Sequence, residues 1–117
     1  MRFLVFMSAV LGFSTMAQGI DCVGTFRSVQ DDKSVIEETV QLSMGQDTPV
    51  MQTLSGDIGD FHFYVQGQKK ESDYLMMITL GPDYTRGATG RLTWDKNNRM
   101  RITRVDGDDV YKLECNQ

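Results

Sequence analysis

The chain carries one histidine, one tryptophan, two cysteines and two prolines among its 117 residues. Each scarcity excludes something. Zinc takes about four nitrogen or sulfur ligands at short spacing, and a lone His62 with two cysteines at opposite ends of the chain cannot supply them. The same separation removes a redox dithiol, whose two sulfurs must be neighbours. No serine stands in a nucleophile-elbow context, and Gly81, Gly87 and Gly90 match neither the phosphate-loop nor the dinucleotide spacing. Long apolar runs are missing after the first residues, so no segment reaches the length that crosses ~30 Å of hydrocarbon. Helical periodicity and internal repeats are nearly absent as well. These absences leave no metal and no cofactor to expect, and no nucleophile that would make His62 catalytic. His62 is read as a surface or hydrogen-bonded histidine oriented by Asp57 or Asp60.

What is present begins with an address. Residues 1–19 hold a single charge at Arg2, an apolar run from Phe3 to Phe13, and small residues Ala17 and Gly19 at −3 and −1 from a cut before Ile20. This is the pattern of a cleaved signal peptide. Cys22 follows the apolar run as a lipidated cysteine would, but charged Asp21 precedes it where such a signal wants a small neutral residue. Removing 19 residues from 117 leaves 98 and moves the net charge from −4 to −5, because Arg2 goes with them. The expected product is a single exported domain over residues 20–117, periplasmic or extracellular, of modest core and thin stability margin.

Cys22 and Cys115 are the third and third-last residues of that domain. In an oxidising compartment two cysteines and no others predict one bridge.

Between them the sequence alternates. Ile36, Glu38, Val40, Leu42 and Met44 share one side of Ser34–Met44, with Glu38 the only residue that breaks an apolar face. Phe61, Phe63 and Val65 alternate with His62, Tyr64 and Gln66. Tyr74, Met76, Ile78 and Leu80 form another face, yet Leu75 and Met77 on the reverse are apolar too. Leu92 with Trp94, Met100 with Ile102, and Tyr111 with Leu113 and Cys115 continue the series, and Val23–Val29 and Val50–Leu54 are weaker segments. Asn97-Asn98 and Asp106-Gly107 suit tight hairpins, since these residues tolerate positive φ. Gly81–Gly87 reads as a long exposed loop. The total is about eight antiparallel strands, all-β, with no gap wide enough for a crossover helix. With an even count in up-and-down order, the first and last strands become neighbours and a Cys22–Cys115 bridge staples the seam. A small antiparallel β-barrel is therefore expected in preference to a β-sandwich, with Trp94 in the core.

Charge divides the domain. Residues 20–60 carry eight acids and two bases, whereas residues 61–117 carry eight acids and nine bases. Arg91, Arg99 and Arg101 occupy polar positions of two strands joined by Asn97-Asn98, so they are expected to share one face near Arg86. With Tyr84 in the adjoining loop, they are the candidate partner-binding residues. The expected partner is a protein or an anionic surface, since net acidity and export disfavour nucleic acid. Asp106-Gly107-Asp108-Asp109 has the composition of a calcium loop but too few oxygens for six- to eight-fold coordination, and reads as a turn. The functional expectation is a non-enzymatic exported binding module. A carrier of small apolar ligands inside a barrel, and an unrecognised hydrolase, are the alternatives.

Overall fold

The computed structural model describes residues 19–68, 72–81 and 86–117, with Arg86 described by its backbone. The expected signal peptide, apart from Gly19, and Tyr84 lie outside these residues.

The described chain forms β1 (Asp21–Val29), β2 (Val35–Gln41), β3 (Ser43–Asp47), β4 (Met51–Ile58), β5 (Phe61–Gln68), β6 (Tyr74–Leu80), β7 (Arg86–Leu92), β8 (Arg99–Asp106) and β9 (Asp109–Asn116). Every pairing is antiparallel. Sheet A runs β2-β1-β9-β8 and sheet B runs β3-β4-β5-β6-β7. Cys22 sits directly opposite Cys115 in the β1–β9 ladder, and the disulfide joins them. The stapling of the first and last strands is as the cysteine spacing predicts.

The closed barrel is not formed. Neighbours follow chain order, but hydrogen-bonded pairing stops at two corners and leaves two separate sheets. At the first, the ribbon read as one strand over Ser34–Met44 breaks at Leu42. Its first half pairs in sheet A and its second in sheet B, which raises the count among described residues from eight to nine. The buried Leu42 anchors the bend, and Val40 closes on Gly56, where a Cβ would meet it at 3.2 Å. At the second corner, residues 93–98 carry the chain from sheet B back to sheet A. The Asn97-Asn98 turn does form: Asn98 adopts φ 60°, and Asp95 Oδ1 accepts from the backbone N–H groups of Asn97 and Arg99. The strands it joins nevertheless belong to different sheets, so the expected hairpin is absent. The segment read as a loop up to Gly87 is instead the start of β7 from Arg86 onward.

A layer of large side chains explains why the sheets stay face to face. Phe63, Val65, Met76, Ile78 and Leu113 are almost wholly buried, together with both half-cystines. Their alternation along β5, β6 and β9 turns His62, Tyr64, Leu75, Met77 and Lys112 outward, as a period of two requires. Phe26, Phe61 and Tyr111 stack at one end, with ring centroids 4.4 to 5.3 Å apart. Trp94 lies outside any strand and is half-buried, edge-on to Tyr74 at 5.4 Å. Glu38, on the inward side of β2, is exposed. No helix among the described residues is long and apolar enough to cross a membrane.

Candidate functional surface

The five candidate partner-binding residues are not brought together as one described face. Arg99 and Arg101 stand on β8 in sheet A, whereas Arg91 stands on β7 in sheet B. Tyr84 and the Arg86 side chain lie outside the described structure. The shared face assumed a hairpin across Asn97-Asn98, and that hairpin is replaced by the crossing between sheets.

On sheet A the arginines have acidic company. Arg101 faces Glu114 across the β8–β9 ladder, and Arg27 faces Glu37 across β1–β2. Arg99 and Arg101 also help hold the Asp95 carboxyl below its ordinary pKa, although the backbone N–H groups of Arg99 and Asn97 contribute more. Thr93, Asp95, Arg99, Arg101 and Glu114 line an open cleft of about 300 Å³. Both signs of charge meet there, so this face lacks the single-sign field that would draw an anion.

Sheet B offers a different surface on its outward side. The register places Thr53, Gln66, Leu75 and Arg91 in one row, Ser55, Tyr64, Met77 and Thr89 in the next, and Asp57, His62, Thr79 and Gly87 in a third. Its middle is apolar because β6 is apolar on both sides: Met76 and Ile78 fill the core, while Leu75 and Met77 face out half-buried. Tyr64, Met77, His62 and Thr79 line an open groove of about 400 Å³. Polar pairs border this area. Arg91 reaches Asp73 through Nε at 2.9 Å and Nη2 at 3.3 Å, a two-pronged contact that holds the Asp73 carboxyl below its usual range. On the far border, His62 Nδ1 donates to Asp57 Oδ1 at 2.6 Å. Of the two hydroxyl residues of that groove, Thr79 directs Oγ1 to the carbonyl of His62 at 3.5 Å and Tyr64 donates to Gln66 Oε1 at 2.9 Å. Of the two acids named as possible orienters of His62, Asp57 fills the role because it is the cross-strand neighbour in the β4–β5 ladder. The sequence did carry a signal for this surface, in the doubly apolar run Leu75-Met76-Met77.

A cavity of about 20 Å³ lies at the open corner between β7 and β8, among Phe61, Ile78, Leu80, Arg104 and Tyr111. Arg104 Nη1 donates to the carbonyl of Gly87 at 2.9 Å, so a side chain spans the corner where the strand ladder stops. Tyr111 beside it has its phenol pKa raised, first by burial and then by the charges of Asp109 and Asp106.

The Asp106–Asp109 segment is the β8–β9 hairpin turn, with Gly107 at φ 64°. Asp109 accepts from Ser28 Oγ at 2.6 Å. Among the described residues no group of three or more His, Cys, Asp or Glu side chains is arranged to hold a metal ion.

No family model, no curated protein and no solved structure matches this chain.

Proposed function

We propose that this chain is a non-enzymatic binding module working outside the cytoplasm, and that it engages a protein partner through the outward face of sheet B. One observation carries the reading: Leu75, Met77 and Tyr64 form the centre of a sheet face over which no described element lies. Methionine, tyrosine and arginine are enriched where proteins meet, and a central apolar area with a charged margin is the usual anatomy of such a contact. Arg91 at the margin keeps one of the sequence-derived candidates within this surface. The terminal disulfide agrees with an oxidising, exported setting.

A carrier reading receives less support. Pockets for small apolar ligands typically run to about 300–1,000 Å³, whereas the cavity between the sheets at the β7–β8 corner is about 20 Å³, room for a single water, and the groove of about 400 Å³ lies open on the outer face.

The test uses the oxidised protein with a photoreactive side chain at Met77 or, separately, at Thr103 on sheet A, applied to envelope or extracellular fractions. The module reading expects a discrete partner crosslinked from position 77 and not from 103. Met77→Asp should then weaken that partner about 30-fold, a loss of roughly 2 kcal/mol, as for a central contact residue. Arg99→Ala with Arg101→Ala should leave it within about twofold. Equal capture by wild type and Met77→Asp would overturn the assignment, and loss with the sheet A pair alone would return the site to the sheet A arginines.

A further inference from the structure

Two open sheets have four edges, and three of them are blunted. The five-residue β3 is bulged, its register shifting between Met44 and Gln46. Strands β7 and β8 turn their free edges toward one corner, where Arg104 occupies the carbonyl of Gly87. The fourth edge, β2, has no such device along residues 35–39, and only its C-terminal end, at Val40, closes on Gly56 of β4. It pairs with β1 through seven consecutive residue pairs without a shift, and all of its residues are exposed or half-exposed.

The direction of its main-chain groups follows from its flanks. Leu42 N–H donates to Cys22 O at 2.9 Å, and Gln30 N–H donates to Ser34 O at 2.8 Å. In an antiparallel ladder mutually bonded pairs alternate with unbonded ones. Ser34, Ile36, Val40 and Leu42 therefore turn their amides and carbonyls to β1, as does Glu38, while Val35, Glu37 and Thr39 turn theirs away from it. Val35 and Ile36 are 48% and 44% exposed, which makes this a β-branched edge already held extended.

We infer that the β2 edge is a docking site for an extended, basic segment of another protein, which adds to sheet A as a fifth strand. Charge selects the occupant. Glu37 stands on the outward side of the edge and Glu38 on the inward side, with Asp31 and Asp32 in the turn before them. Arg27 across from Glu37 and Lys33 in the turn offset two of these four acids, which leaves the edge net negative. A second copy of this chain is disfavoured, because the twofold register that uses Val35, Glu37 and Thr39 from both copies sets Glu37 against Glu37. A strand with lysine or arginine opposite Glu37 and Glu38 and β-branched residues opposite Val35 and Ile36 meets the same edge with charges paired and its amides bonded. The edge lies in the other sheet from the surface around Met77, so either can fail without the other.

The experiment titrates the oxidised protein with short capped peptides of threonine and valine. One carries two adjacent central lysines, the second two glutamates in their place, and the third is the lysine peptide with alternate amides N-methylated to block strand pairing while keeping the charge. Amide NMR shifts and dissociation constants are read. The lysine peptide should bind with its shifts concentrated on residues 34–41, and at least tenfold more tightly than either other peptide. Glu37→Lys with Glu38→Lys, both at exposed positions, should reverse the preference toward the glutamate peptide, and Met77→Asp should leave it unchanged. Equal binding of the methylated peptide would reduce the effect to simple charge attraction and overturn the proposal. Shifts centred elsewhere, or no binding at millimolar peptide, would overturn it too. The wild-type titration decides the matter even where the doubly substituted variant does not fold.

Discussion

Gly24 has no room for a side chain. A Cβ there would lie 2.7 Å from the Phe63 ring, which is itself fully buried and so has nowhere to move. The pairing of a bare backbone on β1 with a large ring on β5 is how the two sheets approach each other at their centre. Gly24→Ala should overpack this contact and cost about 1–3 kcal/mol, whereas Phe63→Ala should leave a void and cost about 3–5 kcal/mol. Because the two residues touch, their effects should not add: Gly24→Ala in a Phe63→Leu background should cost less than Gly24→Ala alone. Urea midpoints of the wild type, Gly24→Ala, Phe63→Leu and the double variant measure this, and strict additivity would show that the contact is not shared. Gly87 is constrained differently, since its φ of 149° and an added Cβ only 1.7 Å from the carbonyl of Ile78 both demand glycine.

At the scale of elements, Arg104 does the work that a ladder would do in a closed sheet. Its guanidinium joins β8 to β7 at the corner where hydrogen-bonded pairing stops. Arg104→Met keeps the apolar stem and removes the bond, so it should cost about 1.5–3 kcal/mol, the range for a hydrogen bond to a charged group. Hydrogen exchange should quicken in β7 and stay unchanged in β1 and β9. Uniform exchange across both sheets would mean that the corner is held by packing alone. This corner also marks where the sequence became illegible. Alternation identified the core faces of β5, β6 and β9, and Asp106-Gly107 marked the turn before β9, because side-chain periodicity and positive-φ residues are local properties. Whether the strand after Asn98 rejoins its predecessor is not local. The Asn97-Asn98 turn looks the same from sequence whether it closes a hairpin or redirects the chain into another sheet. The arginine surface was built on that undetermined step, and Arg91 parted from Arg99 and Arg101 with it. The strand over Ser34–Met44 failed similarly: its alternation, broken only at Glu38, runs on through Leu42, and only the packing of Val40 on Gly56 reveals the bend. The outward face of sheet B was more readable, since an apolar residue on each side of β6 implies two contacts and the core supplies one.

For the whole molecule, the disulfide sets the stability. Cys22 and Cys115 are 93 residues apart, so the bridge closes nearly all of the folded chain into one loop. On the chain-closure account this removes about 4–5 kcal/mol of unfolded-state entropy, a large share of the 5–15 kcal/mol usual for a domain. Cys22→Ala with Cys115→Ala should therefore lower the urea midpoint steeply, and reductant should do the same to the wild type. A midpoint indifferent to reductant would show that the ends are held by the β1–β9 ladder without help from sulfur. The bridge has a further consequence, which is mechanical. Because it joins directly opposed residues of adjacent strands, tension applied at the ends loads only the outermost pairs, Asn116 with Asp21 and with Arg99, before it passes into a covalent crosslink that shields the ladders inside it. Reduction would transfer that load to the β1–β9 hydrogen bonds, so an extended tether would release this module by chemistry long before it did so by force.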